Sequence, residues 1–568
     1  MSESTAPHPI ILKLFERRGM NVKAIQEFLS HNLRELPELT QMQDMDKAGK
    51  RIADALEKNE KIGIFGDYDV DGTSSCALFF HFFKMLGVEV EIFQPSRFVE
   101  GYGIHPSSID QALEKEVKLL ITVDCGITGH AACDYALEKG IEIIVTDHHK
   151  DAAETLPNAY AVVNPNRRDE PKDSALSHLA GVGVAFAICW QIKNELSKRG
   201  REIPTIYPLL QFVALGTVCD LALLTPMNLK LVRHGLKQYK ETQFKGIDVF
   251  LSPQEKKAPT IPSEKLSFNM GPMINSLGRL EHPEKALRLL ISDNEEEAKD
   301  LHHALEIFNS DRKSIQAKVF AEAKEQVINH FDGREHLISI VYKEDWHEGV
   351  IGIVASKLVE TFKAPAIVFT DSEQEGIIKA SARTAGELNM FDCLKAQEDL
   401  FVKFGGHKAA AGLSMKKENY FVFKQRMKDL LATIPAITRT ETDSYDLEIK
   451  FEDISPKLVR DLECLEPFGN GNEKPWFLSR GLRLDSYELM KDVHVRWHFS
   501  SLKNPNQKFR GISFNWVGSW GKPHPSQLFS DQMKNPDRIH GIFTLSIERW
   551  RDNEFIQLQV HKADFGIA

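Results

Sequence analysis

The sequence predicts a multidomain α/β protein with a β-rich C-terminal region. Its 568 residues exceed what one hydrophobic core usually supports, because a domain has about 150 residues. From Lys61 onward, short apolar runs alternate with amphipathic stretches, which is the pattern of βαβ units in a parallel sheet. From about Asp446 the chain is rich in aromatic and turn residues, which is typical of β-structure. We therefore expect three or four domains.

The elements can be placed in order along the chain. The expected strands of the first α/β region are 62–65, 88–93, 118–123, 141–146 and 160–163. The expected helices there are 74–86, 130–139, 182–196 and 206–214. Residues 294–329 contain neither Pro nor Gly and carry apolar residues at helical spacing, which predicts one long linking helix. The expected divisions are an N-terminal segment at 1–60, an α/β domain at 61–290, the linking helix at 291–332, a second α/β domain at 333–437 and a β-rich domain at 438–568.

Composition excludes several classes of protein. Hydrophobic residues make up 42% of the chain, which supplies enough apolar surface to exclude a mostly disordered protein. No apolar run reaches the ~18 residues of a membrane helix, and the start MSESTAPHPI does not resemble a secretory signal. The seven cysteines include no CxxC pair, which disfavours a disulfide framework or a zinc knuckle. We expect a cytoplasmic location and no membrane association.

The net charge of −10 argues weakly against a protein that coats nucleic acid, but it leaves room for a local basic surface. Residues 450–568 carry 17 Lys and Arg against 15 Asp and Glu, so this region is relatively basic. Within 491–516, basic residues interleave with aromatic ones, as in domains that stack the bases of single strands. The alternative is that these aromatics form a barrel core beneath a solvated, charged face.

Acidic residues gather after the predicted strands. Asp67, Asp69 and Asp71 follow the first strand between two glycines, so their carboxylates can converge on a hard cation. An acidic surface loop is the alternative, and a calcium loop is disfavoured because no Glu stands at the twelfth position. Asp124 follows the third strand, and the segment Asp147-His148-His149 follows the fourth. Each alone would be interpreted as a helix cap or a surface feature.

Together these groups predict a metal centre at one edge of the sheet. The carboxyl ends of parallel strands form the usual ligand-binding edge of such folds. Asp220, after an apolar helix, adds a further carboxylate. A mixed set of Asp and His suits two Mn²⁺ ions, with Mg²⁺ as the alternative. Such a pair activates water and clamps the oxygens around a phosphorus, which indicates phosphoester hydrolysis.

The order GDYDVDG, VDCG, DHH and GTVCD resembles the DHH phosphoesterase superfamily. Further segments are similar to its RecJ branch: PSRFVEGYG (95–103), AGVGVAF (180–186), GPMINSLGR (271–279), WHEGVIGIVASKL (346–358), SAR (381–383), FGGHKAAAG (404–412) and LEPFGNGNEKPWF (465–477). The resemblance runs from about Lys61 to the C-terminus. It implies a DHH parallel-sheet domain, a linking helix, a DHHA1-like α/β domain and a C-terminal OB-like β-barrel.

The resemblance also implies roles for individual residues. The metal ligands would be Asp69, Asp71, Asp124, His148 and Asp220, with Asp124 as the bridge and Asp67 as a ligand or a supporting group. His149 would contact the scissile phosphate, so the expected catalytic residues are His149, Asp124, Asp69 and Asp71. The expected substrate-binding residues are Arg97, Arg279, Ser381, Arg383, Gly405, Gly406 and His407. From the residues alone, the Gly-rich stretch could equally be a bend beside a packed strand, and a lone Arg could be solvated surface.

The implied activity is hydrolysis of single-stranded DNA from a free 5′ end by two metal ions. The products would be 5′-mononucleotides, and the setting would be DNA recombination and repair. A monomer is expected, with a single-strand-binding protein and a helicase as candidate protein partners. Two alternatives remain: a phosphodiesterase or pyrophosphatase acting on small substrates, and a noncatalytic DNA-binding scaffold of replication. A small substrate needs no OB-like guide, and unused carboxylates crowded together would repel one another.

Overall fold

The computed structural model describes residues 7–96, 100–150, 155–280, 283–331, 336–439, 444–518, 522–534, 539–550 and 553–565. The chain forms two compact units. The first unit comprises Met20–Asn309 and Cys464–Lys474, and the second comprises Met1–Gly19, Ser310–Glu463 and Pro475–Ala568. Within the described ranges, no helix has both the length and the apolar character needed to cross a membrane.

The strands are β1 (Ile62–Gly66), β2 (Glu91–Phe93), β3 (Leu119–Val123), β4 (Glu142–Thr146), β5 (Ala161–Val163), β6 (Ser339–Tyr342), β7 (Ala366–Asp371), β8 (Ile377–Arg383), β9 (Phe401–Gly406), β10 (Ala410–Lys416), β11 (Leu447–Glu448), β12 (Phe477–Met490), β13 (His494–Ser501), β14 (Lys508–Ser513), β15 (Ile539–Trp550) and β16 (Asn553–Phe565). The α-helices are α1 (Pro9–Arg17), α2 (Val22–Leu29), α3 (Met45–Glu57), α4 (Val70–Met85), α5 (Pro106–Glu114), α6 (His130–Lys139), α7 (Gly181–Lys198), α8 (Leu210–Cys219), α9 (Pro226–Gln238), α10 (Lys245–Asp248), α11 (Pro253–Lys257), α12 (Ser263–Lys265), α13 (Gly271–Leu280), α14 (Glu284–Ile291), α15 (Glu295–Asn329), α16 (Glu348–Phe362), α17 (Met390–Lys395), α18 (Tyr420–Ala432), α19 (Ala436–Arg439), α20 (Pro456–Glu463) and α21 (Pro525–Lys534).

The first unit is built on a parallel sheet with the strand order β2-β1-β3-β4-β5. Strands β1 and β3 are buried along their whole length, as expected for a sheet covered by helices on both faces. Helices α5 and α6 contribute to the apolar core on one face, and α4 packs against β1, α7 and α8. The parallel α/β domain predicted from the sequence is therefore confirmed.

Helix α4 begins at Val70, four residues before the expected start, so it includes part of the acidic motif. The cause is the cap at Asp69, whose Oδ1 accepts hydrogen bonds from the backbone N–H groups of Asp71 at 2.8 Å and Gly72 at 3.0 Å. Gly72 also comes so close to the Asp67 backbone that a Cβ there would collide with it. This tight turn sends the acidic residues to the end of β1.

The second unit contains a mixed sheet with the order β6-β7-β8-β10-β9 and a separate β-barrel. Helix α16 packs on β7 and β8, and α18 contributes Phe423 and Met427 to the core of the mixed sheet. In the barrel, β12, β13, β14, β16 and β15 pair in sequence, and a β12–β15 pairing closes the ring. Trp497 and Trp516 are buried in the barrel, whereas Phe514 is 57% exposed. The expected OB-like barrel is thus confirmed.

The contact between α8 and α9 offers a test of packing beneath the site. Gly235 on α9 lies against α8, and a Cβ there would collide with the carbonyl oxygen of Leu210 and lie 2.6 Å from the Cβ of Ala214. We expect Gly235→Ala to destabilise the first unit by about 1–3 kcal/mol. The new methyl group would collide with main-chain atoms of α8, which cannot move aside as readily as side-chain atoms. Thermal unfolding checks this. The matched control is Gly412→Ala, whose Cβ would meet only the Ala380 carbonyl oxygen at 3.9 Å, and equal unfolding midpoints for the two variants would contradict the expectation.

Candidate metal centre

The predicted acidic groups meet at the carboxyl edge of the parallel sheet. Strands β1, β3 and β4 are neighbours, so the residues that follow them are brought side by side. Asp220 joins them from the C-terminal end of α8, where it is the helix cap. Three overlapping groups have ligand atoms within 4.8 Å of one another: Asp67, Asp69 and Asp124; Asp71, His148 and Asp220; and Asp124, His148 and His149. All seven predicted ligand and catalytic residues therefore lie in one cluster.

The N-terminus of α7 holds the Asp71 carboxylate. Its Oδ2 accepts a hydrogen bond from the N–H of Gly181 at 2.6 Å, and its Oδ1 accepts one from the N–H of Val182 at 3.0 Å. These N–H groups and the helix dipole favour negative charge at this position. Two glycines make the close approach possible: a Cβ on Gly181 would lie 2.8 Å from Oδ1 of Asp124, and one on Gly216 would lie 2.5 Å from Oδ1 of Asp71.

Asp124 is held in an unusual backbone conformation at the centre of the cluster. Its φ of 57° is in the left-handed region that non-glycine residues rarely adopt, as is common at functional sites. The carboxylate is 2% exposed, and its Oδ1 lies 3.1 Å from Nε2 of His148. Although these two buried atoms face each other, neither makes a hydrogen bond in the described part of the chain. Such atoms favour a bound cation, because an unpaired buried polar group is costly.

Crowding raises the pKa values of the carboxyl groups. Burial and then the charge of Asp220 raise the pKa of Asp71 to about 7, and burial and then Asp69 raise that of Asp220 to about 7. Burial, followed by the charges of Asp71 and Asp69, raises the pKa of Asp124 well above its ordinary value. Full ionisation of this cluster at neutral pH therefore requires positive charge nearby.

His149 stands at the exposed side of the cluster. Its side chain is 44% exposed, and its Nδ1 lies 2.7 Å from Oδ1 of the buried Asp147. Although burial opposes protonation, the hydrogen bond and charge of Asp147 raise the pKa of His149 to about 9. The Tyr102 hydroxyl lies 2.9 Å from the same nitrogen. The backbone is also fixed, because Asn164 donates to the His149 carbonyl at 2.9 Å and Asn166 donates to the His148 carbonyl at 2.6 Å.

Sequence reasoning did not identify three of these supporting residues. Tyr102 lies in the PSRFVEGYG segment, where only Arg97 had been selected, and Arg97 lies outside the described residues. Asn164 and Asn166 follow β5 directly, so polar residues after a fifth strand were the available signal. Arg279 lines a cavity of about 340 Å³ whose walls include Asp69 and Asp220.

The other expected substrate-binding residues lie together on the mixed sheet of the second unit. Ser381 pairs across the sheet with Gly412, which in turn pairs with Gly405, and Arg383 pairs with Ala410. The Nη1 of Arg383 donates to Oγ of Ser381 at 3.0 Å. A Cβ on Gly352, the fifth residue of α16, would lie 3.0 Å from that Oγ, so the helix comes very close to this pair. Gly406, with φ of 147°, and His407 begin the turn between β9 and β10.

The cluster fits a pair of hard divalent ions. Its donors are carboxylate oxygens and imidazole nitrogens, a combination that suits Mn²⁺ or Mg²⁺ better than a thiolate-seeking metal. The Cys219 thiol lines the same cavity, but it donates to the Leu266 carbonyl oxygen at 3.5 Å, and burial raises its pKa far above the ordinary value. Cys125 is also buried, with a raised pKa. Neither thiol is a suitable ligand in this state.

Three family models match the chain. They are the DHH family N-terminal domain at residues 61–217, the DHHA1 domain at 334–438 and the RecJ OB domain at 445–562. These matches and the acidic edge of the sheet together define a phosphoesterase of the DHH class.

Curated relatives and solved structures refine this class. The single-stranded-DNA-specific exonuclease RecJ of Salmonella typhimurium is 34% identical over 504 residues, which cover 86% of each chain. That of Bacillus subtilis is 30% identical over 563 residues, covering 98% of this chain and 68% of the relative. The crystal structure of RecJ with Mn²⁺ from Thermus thermophilus has a TM-score of 0.80 at 26% identity, covering 99% of this chain and 76% of that one. A manganese-bound exonuclease RecJ has a TM-score of 0.58 at 31% identity, covering 70% and 96%. The chain belongs to the RecJ exonuclease family.

The close approach of α7 to Asp124 can be tested through metal binding. In Gly181→Ala, the new Cβ would lie 2.7 Å from the Cβ of Asp124, so the carboxylate must shift. We expect the variant to bind Mn²⁺ about tenfold more weakly, as when groups that orient metal ligands are lost. Calorimetric titration with Mn²⁺ measures this. The control is Gly183→Ala on the same helix, where the nearest atoms belong to the flexible Leu179 side chain, and equal affinities for the two variants would contradict the argument.

Proposed function

We propose that the chain is a metal-dependent exonuclease that hydrolyses single-stranded DNA from a free 5′ end and releases 5′-mononucleotides. The main support for this proposal is the cluster of Asp and His side chains at one sheet edge, in a chain that belongs to the RecJ family. The relatives named as single-stranded-DNA-specific exonucleases support this substrate. DNA recombination and repair are the processes that need such resection.

The proposed ligands are Asp69, Asp71, Asp124, His148 and Asp220, and Asp67 belongs to the ligand group that it forms with Asp69 and Asp124. Bound divalent ions supply an activated water and neutralise charge on the phosphate oxygens. The protein contributes the geometry: Gly181 and Val182 hold Asp71, so that its carboxylate is oriented before substrate arrives.

His149 and Arg279 are the proposed contacts to the scissile phosphate. His149 is oriented by Asp147 and Tyr102 while its side chain remains partly exposed, which suits a cationic group that meets an anionic substrate. Arg279 lines the cavity that Asp69 and Asp220 also line. Charge developing on the phosphate oxygens would be stabilised by both side chains.

The terminal phosphate is proposed to bind on the mixed sheet of the second unit. Arg383 and Ser381 lie beside Gly352 of α16, and a guanidinium paired with a hydroxyl is a combination that suits a terminal phosphate. Gly405, Gly406 and His407 lie on β9 and its turn, with β10 between β9 and the strand of Ser381 and Arg383, and the lack of side chains at the glycines leaves room for a ligand to approach the backbone. Recognition of the phosphate there would select a 5′ end.

The closed barrel is the proposed guide for the incoming strand. Its exposed aromatic residues include Phe514 and Phe555, and the guanidinium of Arg510 lies 6.0 Å from the Phe555 ring centroid. Stacking on aromatic faces beside cations is the usual mode of OB-type binding. A phosphodiesterase for short oligonucleotides would not need this domain, and a noncatalytic scaffold would not need the metal cluster.

We also propose a monomer in the cytoplasm, with a single-strand-binding protein and a helicase as partners.

We expect Asp124→Ala to abolish cleavage, by more than about 100-fold, because the carboxylate belongs to two of the three ligand groups. The measurement is a time course on end-labelled single-stranded DNA with either end blocked, in Mn²⁺ or Mg²⁺, alongside a dinucleotide. Asp134→Ala, at an exposed position on α6, is the control. Normal turnover by the Asp124 variant would refute the metal role. Degradation from the 3′ end or a preference for the dinucleotide would refute the proposed substrate.

We expect Arg383→Ala to raise KM for 5′-phosphorylated single strands about tenfold, which corresponds to the loss of one charge-assisted hydrogen bond. Strands with a 5′-hydroxyl should be cleaved as by the unmodified protein. Steady-state kinetics on the two substrates checks this. The control is Arg426→Ala, which removes an exposed arginine that pairs with Asp399 in the same unit. An equal change for both substrates would show that Arg383 does not recognise the terminal phosphate.

A further inference from the structure

The C-terminal end of α8 carries Asp220 on a backbone turn that needs support. The N–H of Leu221 donates to the Val218 carbonyl at 3.4 Å, and the N–H of Ala222 donates to the Thr217 carbonyl at 3.2 Å, as in a Schellman motif. In this motif the residue after the cap is left-handed and is usually glycine. Here it is Leu221, with φ of 59°, and its side chain is 65% exposed. Burial of the side chain therefore does little to compensate for the strained backbone.

A distant segment of the chain supports this turn. The Asn470 side chain donates from Nδ2 to the carbonyl oxygen of Leu221 at 2.8 Å, across 249 positions of sequence. The backbone carbonyl of Asn470 accepts a hydrogen bond from the N–H of Leu224, also at 2.8 Å. Both bonds are within the first unit, which includes Cys464–Lys474 together with the parallel sheet. The loop that follows Asp220 is thus bonded at both ends to one residue.

The segment Cys464–Lys474 is itself held in place by hydrogen bonds, so it can support the loop. Asn472 is fully buried, and its Nδ2 donates to the carbonyls of Leu465 at 2.9 Å and Pro467 at 2.8 Å. Helix α9 adds a bond from Nε of Arg233 to the Glu466 carbonyl at 2.8 Å, and the Ser263 hydroxyl donates to the Phe468 carbonyl at 2.9 Å.

The segment also comes very close to the loop that it supports. Gly471 has φ of 78°, and a Cβ there would collide with the Leu223 side chain. A Cβ on Gly469 would lie 2.9 Å from Cδ1 of Leu224. The residues on both sides of Asn470 therefore also contact the loop that Asn470 bonds.

We propose that Asn470 is a positioning residue for the metal centre. By holding the Leu221 carbonyl, it keeps the turn after α8 in its left-handed conformation and so keeps the Asp220 carboxylate in place for a divalent ion. This inference rests on the proposed role of Asp220 as a ligand. The LEPFGNGNEKPWF segment, which the sequence associated only with the barrel, thereby has a role at the metal site.

The test measures Mn²⁺ binding to the full-length protein by following the free ion with electron paramagnetic resonance. We expect Asn470→Ala to bind Mn²⁺ about tenfold more weakly, as for other groups that orient a metal ligand. The double variant Asn470→Ala with Leu221→Gly should regain the original affinity, because glycine adopts the left-handed conformation without support. Cleavage of single-stranded DNA at saturating Mn²⁺ should remain close to normal in both variants.

The control is Asn158→Ala, which removes an exposed asparagine of the first unit that donates to Asp134 at 3.2 Å. Unchanged Mn²⁺ affinity in Asn470→Ala would overturn the proposal, and so would a loss of affinity that Leu221→Gly fails to restore. Asp220→Ala separates this proposal from the proposed function. If that variant binds Mn²⁺ as the unmodified protein does, the ligand role of Asp220 fails and the proposal for Asn470 is overturned with it. If Asp220→Ala loses affinity while Asn470→Ala does not, only the proposal for Asn470 is overturned.

Discussion

The mutual repulsion of buried carboxylates at one edge of a parallel sheet is the constraint on which the rest of this structure depends. Asp71, Asp124 and Asp220 are close enough that burial and mutual charge raise their pKa values, two of them to about 7. Such a cluster persists only if the fold supplies positive potential and fixed geometry. The N-terminus of α7 and the His149 ring, which Asp147 holds, supply part of this positive potential. Divalent ions supply the rest.

The same constraint explains why small residues surround the site. Gly181 and Gly216 stand where helices touch the carboxylates of Asp124 and Asp71, and any side chain there would displace a carboxylate oxygen. Gly352 serves a similar purpose beside Arg383 and Ser381 in the other unit. In each case a helix backbone comes near a charged or polar side chain, and the missing Cβ is what permits the approach.

Support for the site also comes from other segments of the chain, one of which is far away in sequence. Asn164 and Asn166 hold the backbone carbonyls of His149 and His148, and Asn470 holds that of Leu221. Asparagine suits this task because its amide donates to a carbonyl without adding charge to an already acidic cluster. The net charge of −10, which weakly opposed a nucleic-acid enzyme, is in part this cluster itself.

The sequence by itself determined the order of the α/β and barrel folds, the parallel sheet, and which Asp and His side chains meet at its edge. It could do so because apolar periodicity defines strands, and because residues that follow adjacent parallel strands must meet at one edge. Only the tertiary structure decided that Tyr102 reaches His149 and that residues 464–474 belong with the first unit. These features depend on hydrogen bonds between segments up to about 250 residues apart, and no local pattern of residue types encodes which distant carbonyl a side chain will meet.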